Sequence, residues 1–202
     1  MNGVTVAVVR ALRRCAPFVL SIFCTYCVSS GVGMIMAHTG SSFALGRRDN
    51  IVNEAEANDP ALRDLHAGRD FAAACEDCAG NIIHAALPQT VAGLGVVFPY
   101  FTVAYQGWVG GIVSVDGAHR SRFRDVRSGA YYLLVLLLQF IPFSLSIGAG
   151  VACGVEFYRF NAAVSWRLWN YRIPASAVKD LAIVCAVSVP LFLTASLVEF
   201  LA

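Results

Sequence analysis

Four stretches of this chain contain no Asp, Glu, Lys or Arg: residues 15–46, 78–115, 128–155 and 181–198. A helix needs about 20 apolar residues to cross the hydrocarbon core of a bilayer, and these runs meet or approach that length. Lipid offers the backbone no water, so only helices and closed barrels can span it. Barrel strands show short alternating segments, and these runs do not alternate. The pattern predicts an all-α protein, a polytopic transmembrane helical bundle with broken or re-entrant helices, in a single membrane domain over 1–202.

The expected spans are 15–37, 82–115, 129–155 and 181–202. One upright helix over 82–115 would measure roughly 50 Å, against a core of about 30 Å. Pro88, Pro99 and the run Gln106-Gly107-Trp108-Val109-Gly110-Gly111 mark places for it to kink or break. Pro142 divides 129–155, and Gly148, Gly150 and Gly154 loosen its second half. Residues 38–77 form the one sizeable polar segment. Asp59-Pro60 reads there as a helix start with Pro at the first helical position. Leu62, Leu65 and Phe71 then predict a helix lying against the membrane.

Composition strengthens this picture. The chain is 57% hydrophobic and 14% charged, where soluble domains carry about 25% charged residues. A net charge of +2 does not suggest nucleic acid. Arg10, Arg13 and Arg14 precede a first apolar run longer than the about 7–15 residues of a signal peptide, so it reads as a retained helix with a cytoplasmic N-terminus. Segment 38–77 is net acidic and is expected outside. Arg120, Arg122, Arg124 and Arg127 direct 116–127 to the cytoplasm, and Arg159, Arg167, Arg172 and Lys179 direct 157–179 there too. Both can be cytoplasmic only if 129–155 enters and returns near Pro142. That broken pair is the favoured expectation; the alternative is one crossing with four cations outside. Four to six crossings follow. Phe157, Tyr158, Phe160, Trp166, Trp169 and Tyr171, mixed with Arg159 and Arg167, predict an interfacial or partner-docking segment.

The order of these features resembles the stage II sporulation protein M family of membrane proteins. Asn81 opens the second run where that family has an Asn-rich step. Gln106-Gly107-Trp108-Val109-Gly110-Gly111 stands where its Asn-Gly turn would be. Gln139-Phe140-Ile141-Pro142, followed by Gly148, Gly150 and Gly154, stands in its broken segment, and Thr194-Ala195-Ser196-Leu197-Val198-Glu199 looks like its closing Ala-x-x-x-Glu. The chain departs from the pattern at Gln106, in place of the Asn, and at Gln139-Phe140 and Phe143, where a His-Gly pair and a Glu would fall. The resemblance implies a fold similar to ABC-type permeases and a role as a membrane platform for hydrolases. The departures imply that any ion or chemical role of those polar positions is lost here.

Candidate chemistry is sparse. Cys24-Thr25-Tyr26-Cys27 and Cys75-Glu76-Asp77-Cys78 have the spacing of half zinc sites. The first lies mid-span and the second near the outer face, so different depths argue against a shared metal. Cys75 and Cys78 remain candidates for a disulfide or for thiol-redox chemistry. Cys15, Cys153 and Cys185 read as polarizable core residues. Glu199, in the last apolar helix, is either a functional acid or one that snorkels to the interface. His84 or Asn81 is a possible partner, although His84 fits a hydrogen-bonded core histidine at least as well. Asn81, His84, Gln106, Gln139 and Glu199 thus form a candidate polar seam. Gly107 with Gly111, Ser144 with Gly148, and Gly150 with Gly154 have the small-x-x-x-small spacing of close helix packing, within one chain or across a homodimer.

No phosphate loop, nucleophile elbow or His-Glu-x-x-His occurs, so neither an enzyme nor a cofactor is expected. The expected function is a non-enzymatic, permease-like subunit of a larger membrane complex. Its expected partners are the bilayer and other membrane proteins. The alternative is the membrane half of a transporter with a separate ATPase, binding substrate at its broken helices.

Overall fold

The structure, a computed structural model, describes residues 3–163 and 172–201. Its α-helices are α1 (Gly3–His38), α2 (Ser42–Asn58), α3 (Pro60–His66), α4 (Asp70–Gly80), α5 (Leu87–Ala92), α6 (Phe98–Ile112), α7 (Val126–Ala163) and α8 (Ala175–Leu201). Among the described residues there is no β-strand, only an isolated antiparallel bridge between Val115 and Ser121. The all-α expectation therefore holds.

Three helices, α1, α7 and α8, are long and apolar enough to cross a bilayer. Arg14 on α1 pairs with Asp180 near the start of α8 at 2.6 Å. Further along, Tyr26 stacks on Phe140 of α7 with ring centroids 4.6 Å apart, and Phe143 meets Phe192 of α8 edge-on at 4.8 Å. Near the other end, the Tyr131 hydroxyl of α7 donates to the carbonyl of Glu199 at 2.9 Å. These pairings run α8 parallel to α1 and α7 antiparallel to both.

The second uncharged run does not cross. It folds as a hairpin that enters and leaves at the α1 C-terminal end. One arm is α4, a π-helical stretch over Asn81–Ala86, and α5; the other arm is α6. The α6 arm climbs parallel to α1, as Ser21 bonds to Tyr100 at 2.6 Å and Tyr26 to Gln106 at 2.8 Å. The arms join at a short 3-10 stretch, Gly93–Gly95, followed by Val96 at φ 58 and ψ −54. The Val97 amide donates to the Gly95 carbonyl at 2.6 Å, which makes this a γ-turn centred on a β-branched residue, a strained conformation. Tight packing holds it. A Cβ on Gly93 would stand 2.6 Å from the Gly150 carbonyl carbon, and one on Gly154 would stand 2.6 Å from the Gly93 oxygen.

Several expectations need correction. The break in 82–115 is at 93–97; the Gln106–Gly111 run lies inside continuous α6. Pro142 does not break 129–155, because α7 runs unbroken from Val126 to Ala163 with Pro142 inside it. Proline leaves one carbonyl, that of Leu138, without its helical donor. Packing on both sides carries the helix through, with Phe140 on Tyr26 and Phe143 on Phe192. Residues 157–163 likewise continue α7, and α8 already begins at Ala175, so 157–179 is not one interfacial segment.

The 116–127 loop is also relocated. It lies at the same end as 38–77, opposite the α1 N-terminus. His38 Nε2 is 2.8 Å from Ser121 Oγ, and His119 Nε2 is 2.9 Å from Asp49 Oδ2. The arginines misdirect the charge rule because they have local work there. Arg120 pairs with Asp116 at 2.9 Å, and Arg122 Nε donates to the Val113 carbonyl at 3.0 Å.

The polar segment folds as anticipated at Asp59, whose Oδ1 accepts from the Ala61 amide at 2.8 Å with Pro60 opening α3. Gly68, at φ 70, then turns the chain into α4.

Candidate functional site

Small residues set the geometry of the bundle. A Cβ on Gly111 would collide with the Ser30 carbonyl and stand 2.9 Å from Gly33 Cα; one on Gly107 would stand 2.8 Å from the Tyr26 carbonyl. One on Gly148 would stand 2.6 Å from Val19 Cα, and one on Gly150 would strike Thr90. Ser144 is fully buried beside them. In lipid, where apolar surface gains nothing by burial against another helix, such close approach supplies the packing. The Gly107, Gly111, Gly148, Gly150 and Gly154 sites are therefore spent within the chain.

That packing brings three polar elements together at the α1 C-terminal half of the bundle. Gln139 of α7 donates from Nε2 to Glu199 Oε2 of α8 at 2.9 Å. On the neighbouring arm of the hairpin, Asp77 Oδ2 accepts from Ser196 Oγ at 2.6 Å and from Asn81 Nδ2 at 2.9 Å. Gln139 also faces Asp77, so its amide lies between two carboxylates. Asn81, Gln139 and Glu199 of the expected seam thus share one cluster.

Two further members were not anticipated from the sequence. Asp77 is one residue before an uncharged run and reads as part of the loop; Ser196 reads only as an interior position of the closing Ala-x-x-x-Glu. The signal for Asp77 is spacing: it stands one helical turn before Asn81, which opens the π stretch.

Two expected members stand elsewhere. Gln106 accepts from the Tyr26 hydroxyl at 2.8 Å in the α1–α6 interface. His84 is exposed on the outer flank of the hairpin and makes no hydrogen bond there. Neither of the partners first considered for Glu199 touches it; Gln139 does.

A cleft of about 670 Å³ opens beside this cluster, with Glu199 and Gln139 on its wall. Leu62 and Leu65 of α3 form one side of it, Val135 and Leu136 of α7 another, and Arg122 reaches it from the 113–125 loop. Among the described residues Glu199 is paired with no cation and Arg122 with no carboxylate.

A second polar cleft, about 590 Å³, lies at the opposite end. Its charges are already neutralised, Arg14 by Asp180 at 2.6 Å and Arg159 by Glu156 at 3.2 Å. Buried Asn161 ties α7 to the residues that lead into α8, with its amide donating to the Phe157 carbonyl at 2.7 Å and to the Arg172 carbonyl at 3.1 Å. Trp166, Arg167, Trp169 and Tyr171 lie outside the described residues.

All seven cysteines are free thiols. Cys24, Cys27 and Cys75 are exposed while Cys78 is buried in the core beside Tyr26. Among the described residues, no three His, Cys, Asp or Glu side chains converge to hold a metal ion.

Outside the spans, electrostatics fasten the connecting segments. Hydrogen bonds from Arg48 and His119 hold the Asp49 carboxyl below the usual carboxylate range. The Arg120 backbone amide does the same for Asp116, and the Ser128 amide for Asp125. Arg48 itself is buried, with Nη1 on Asp49 at 2.9 Å. This network clamps α2 to the 113–125 loop.

No family model matches this chain, and no curated protein or solved structure resembles it significantly.

Proposed function

We propose that this chain is a non-enzymatic, permease-like membrane subunit that acts inside a larger assembly. The observation that carries the reading is the hairpin of 70–112, held by α1, α7 and α8 and entering and leaving at one end. Discontinuous helices whose irregular backbone is shielded by neighbours are the building style of permeases and transporters. The polar groups of the bundle bond to one another across helix seams rather than forming a nucleophile with its base.

In this reading the α1 N-terminus faces the cytoplasm. At that end Arg10, Arg13, Arg14, Arg172 and Lys179 outnumber the acids, while the opposite end holds the acidic 42–77 segment. The fastened segments at that opposite end and the basic connection between α7 and α8 are the surfaces for partners. The resemblance to the stage II sporulation protein M family fits a platform role for cell-wall hydrolases in a bacterial inner membrane.

Affinity purification in a mild detergent with mass spectrometry tests this. A stable set of integral membrane and envelope proteins is the expected result; recovery of the chain alone would overturn it. The second reading, the membrane half of a transporter, is favoured by the open cleft beside Glu199 and Gln139. It expects one ATPase as the dominant co-purifying protein.

A further inference from the structure

We infer that the cleft between α3, α7 and α8 is a binding site for the head group of an amine-bearing phospholipid, phosphatidylethanolamine. The cleft lies at the end of the bundle that carries the polar segments, where the spanning helices begin or stop. A lipid head group occupies that level of a membrane. Its volume, about 670 Å³, falls in the roughly 300–1,000 Å³ of small-ligand sites.

The chemistry of its wall is zwitterionic. Glu199 contributes a carboxylate whose one hydrogen bond comes from Gln139 Nε2 at 2.9 Å. Gln139 Oε1 has no donor at all, so this corner is short of donors and not of acceptors. A primary ammonium supplies three N–H donors and a positive charge. A choline head group has the charge but no N–H, and glycerol has neither the charge nor a strong donor.

Arg122 faces the same cleft. It uses Nε on the Val113 carbonyl at 3.0 Å and lies over the Tyr132 ring at 6.0 Å, which leaves its terminal nitrogens without a hydrogen-bond partner among the described residues. Guanidinium groups grip phosphate in a fork. The remaining lining mixes Ser128, Tyr131 and Tyr132 with Leu62, Leu65, Val135 and Leu136, and these apolar side chains suit the first methylenes of the acyl chains. Each of the two charged groups lacks what the head group carries.

The inference rests on the membrane location and not on the platform role, so a failed partner experiment leaves it standing. The test is thermal unfolding of the purified full chain in detergent, with phosphatidylethanolamine, phosphatidylcholine, phosphatidylglycerol or free phosphoethanolamine added. Phosphatidylethanolamine is expected to bind at least tenfold tighter than the other two lipids and to raise the unfolding midpoint accordingly. Glu199→Gln is expected to erase that preference, and Arg122→Gln to weaken phosphatidylethanolamine and phosphatidylcholine alike. Equal shifts for all three lipids, or a preference that survives Glu199→Gln, would overturn the proposal. Saturation of the effect by free phosphoethanolamine would overturn the lipid as the ligand. Should Glu199→Gln fail to fold, native mass spectrometry of the wild-type chain in an equimolar lipid mixture decides, and retention without enrichment of phosphatidylethanolamine counts against it.

Discussion

Gly31 and Gly33 stand two residues apart on α1 and face different surroundings. A Cβ on Gly33 would stand 3.0 Å from Gly111 Cα and collide with the Trp108 carbonyl, whereas one on Gly31 meets nothing within 4 Å. Gly33→Ala must push α6 from α1, and overpacking of that kind costs about 1–3 kcal/mol. Gly31→Ala meets no neighbour and gains up to about 1 kcal/mol of helix propensity. Thermal unfolding in detergent is expected to move in opposite directions for the two; a matching fall would mean that α1 and α6 do not cross at Gly33. Acid has a directional effect at the fastened end. Asp49, Asp116 and Asp125 sit below the usual carboxylate range because Arg48 with His119, the Arg120 amide and the Ser128 amide favour their charged forms. A depressed carboxylate stabilises the fold above its unfolded value, about 3.9 for Asp, and that contribution is lost as pH falls through the folded value. Hydrogen exchange in 113–125 is therefore expected to hold steady from neutral pH to about 5 and to lose protection below about 4. Asp116→Asn should remove part of that acid response, and an unchanged pH profile would show the turn to be held by backbone alone.

At the scale of elements, the uncharged runs announce their length but not their course. Residues 15–37 and 181–201 were legible as long apolar helices because one long apolar stretch in lipid has no other way to close its backbone bonds. The hairpin was half legible: 82–115 is too long for one crossing, but its turning point at 93–97 is marked only by Gly93 and Gly95, which look no different from the glycines of continuous α6. What selects the turn is tertiary, the seat of Gly93 on Gly150 and Gly154. Pro142 misled for the same reason, since a proline's effect depends on whether neighbours hold the helix on both sides. The site was legible in Asn81, Gln139 and Glu199, polar residues in apolar runs, and illegible in Asp77, which touches Ser196 only because α4 packs on α8. Pro142→Ala gives this a test. Alanine returns an N–H to the Leu138 carbonyl, worth about 1 kcal/mol, and gives up the dispersion contacts of about two buried methylenes, each atom pair worth about 0.1–0.2 kcal/mol. The variant is expected to fold and to unfold within about 2 kcal/mol of the wild type. Loss of the folded protein would place a turn, not a helix, at Pro142.

For the whole molecule, three long apolar helices and a hairpin fix which surfaces share an end. With α7 unbroken, 42–69 and 113–125 lie together at one end, and 172–174, leading into α8, lie at the other. His119 on Asp49 and His38 on Ser121 demand the same arrangement, since the first bond joins the two connecting segments and the second joins the α1 C-terminus to 113–125. Had 129–155 returned near Pro142, the 116–127 loop would stand with the α7–α8 connection, as a count of arginines alone suggests. The two architectures separate cleanly in a background where the seven native cysteines are replaced. Single cysteines at Asn58, Gly117 and Ser176 are then labelled in sealed vesicles with a thiol reagent that cannot cross the membrane. Asn58 and Gly117 are expected to label together, with Ser176 protected until the vesicles are opened, or the reverse in inverted vesicles. Co-labelling of Gly117 with Ser176 would break the chain of contacts from His38 to Ser121. It would also remove Arg122 from the level of Glu199, and the zwitterionic cleft with it. One labelling pattern thus bears on the fold and on the site, because the site exists only where three crossings bring α3, α7 and α8 to the same end.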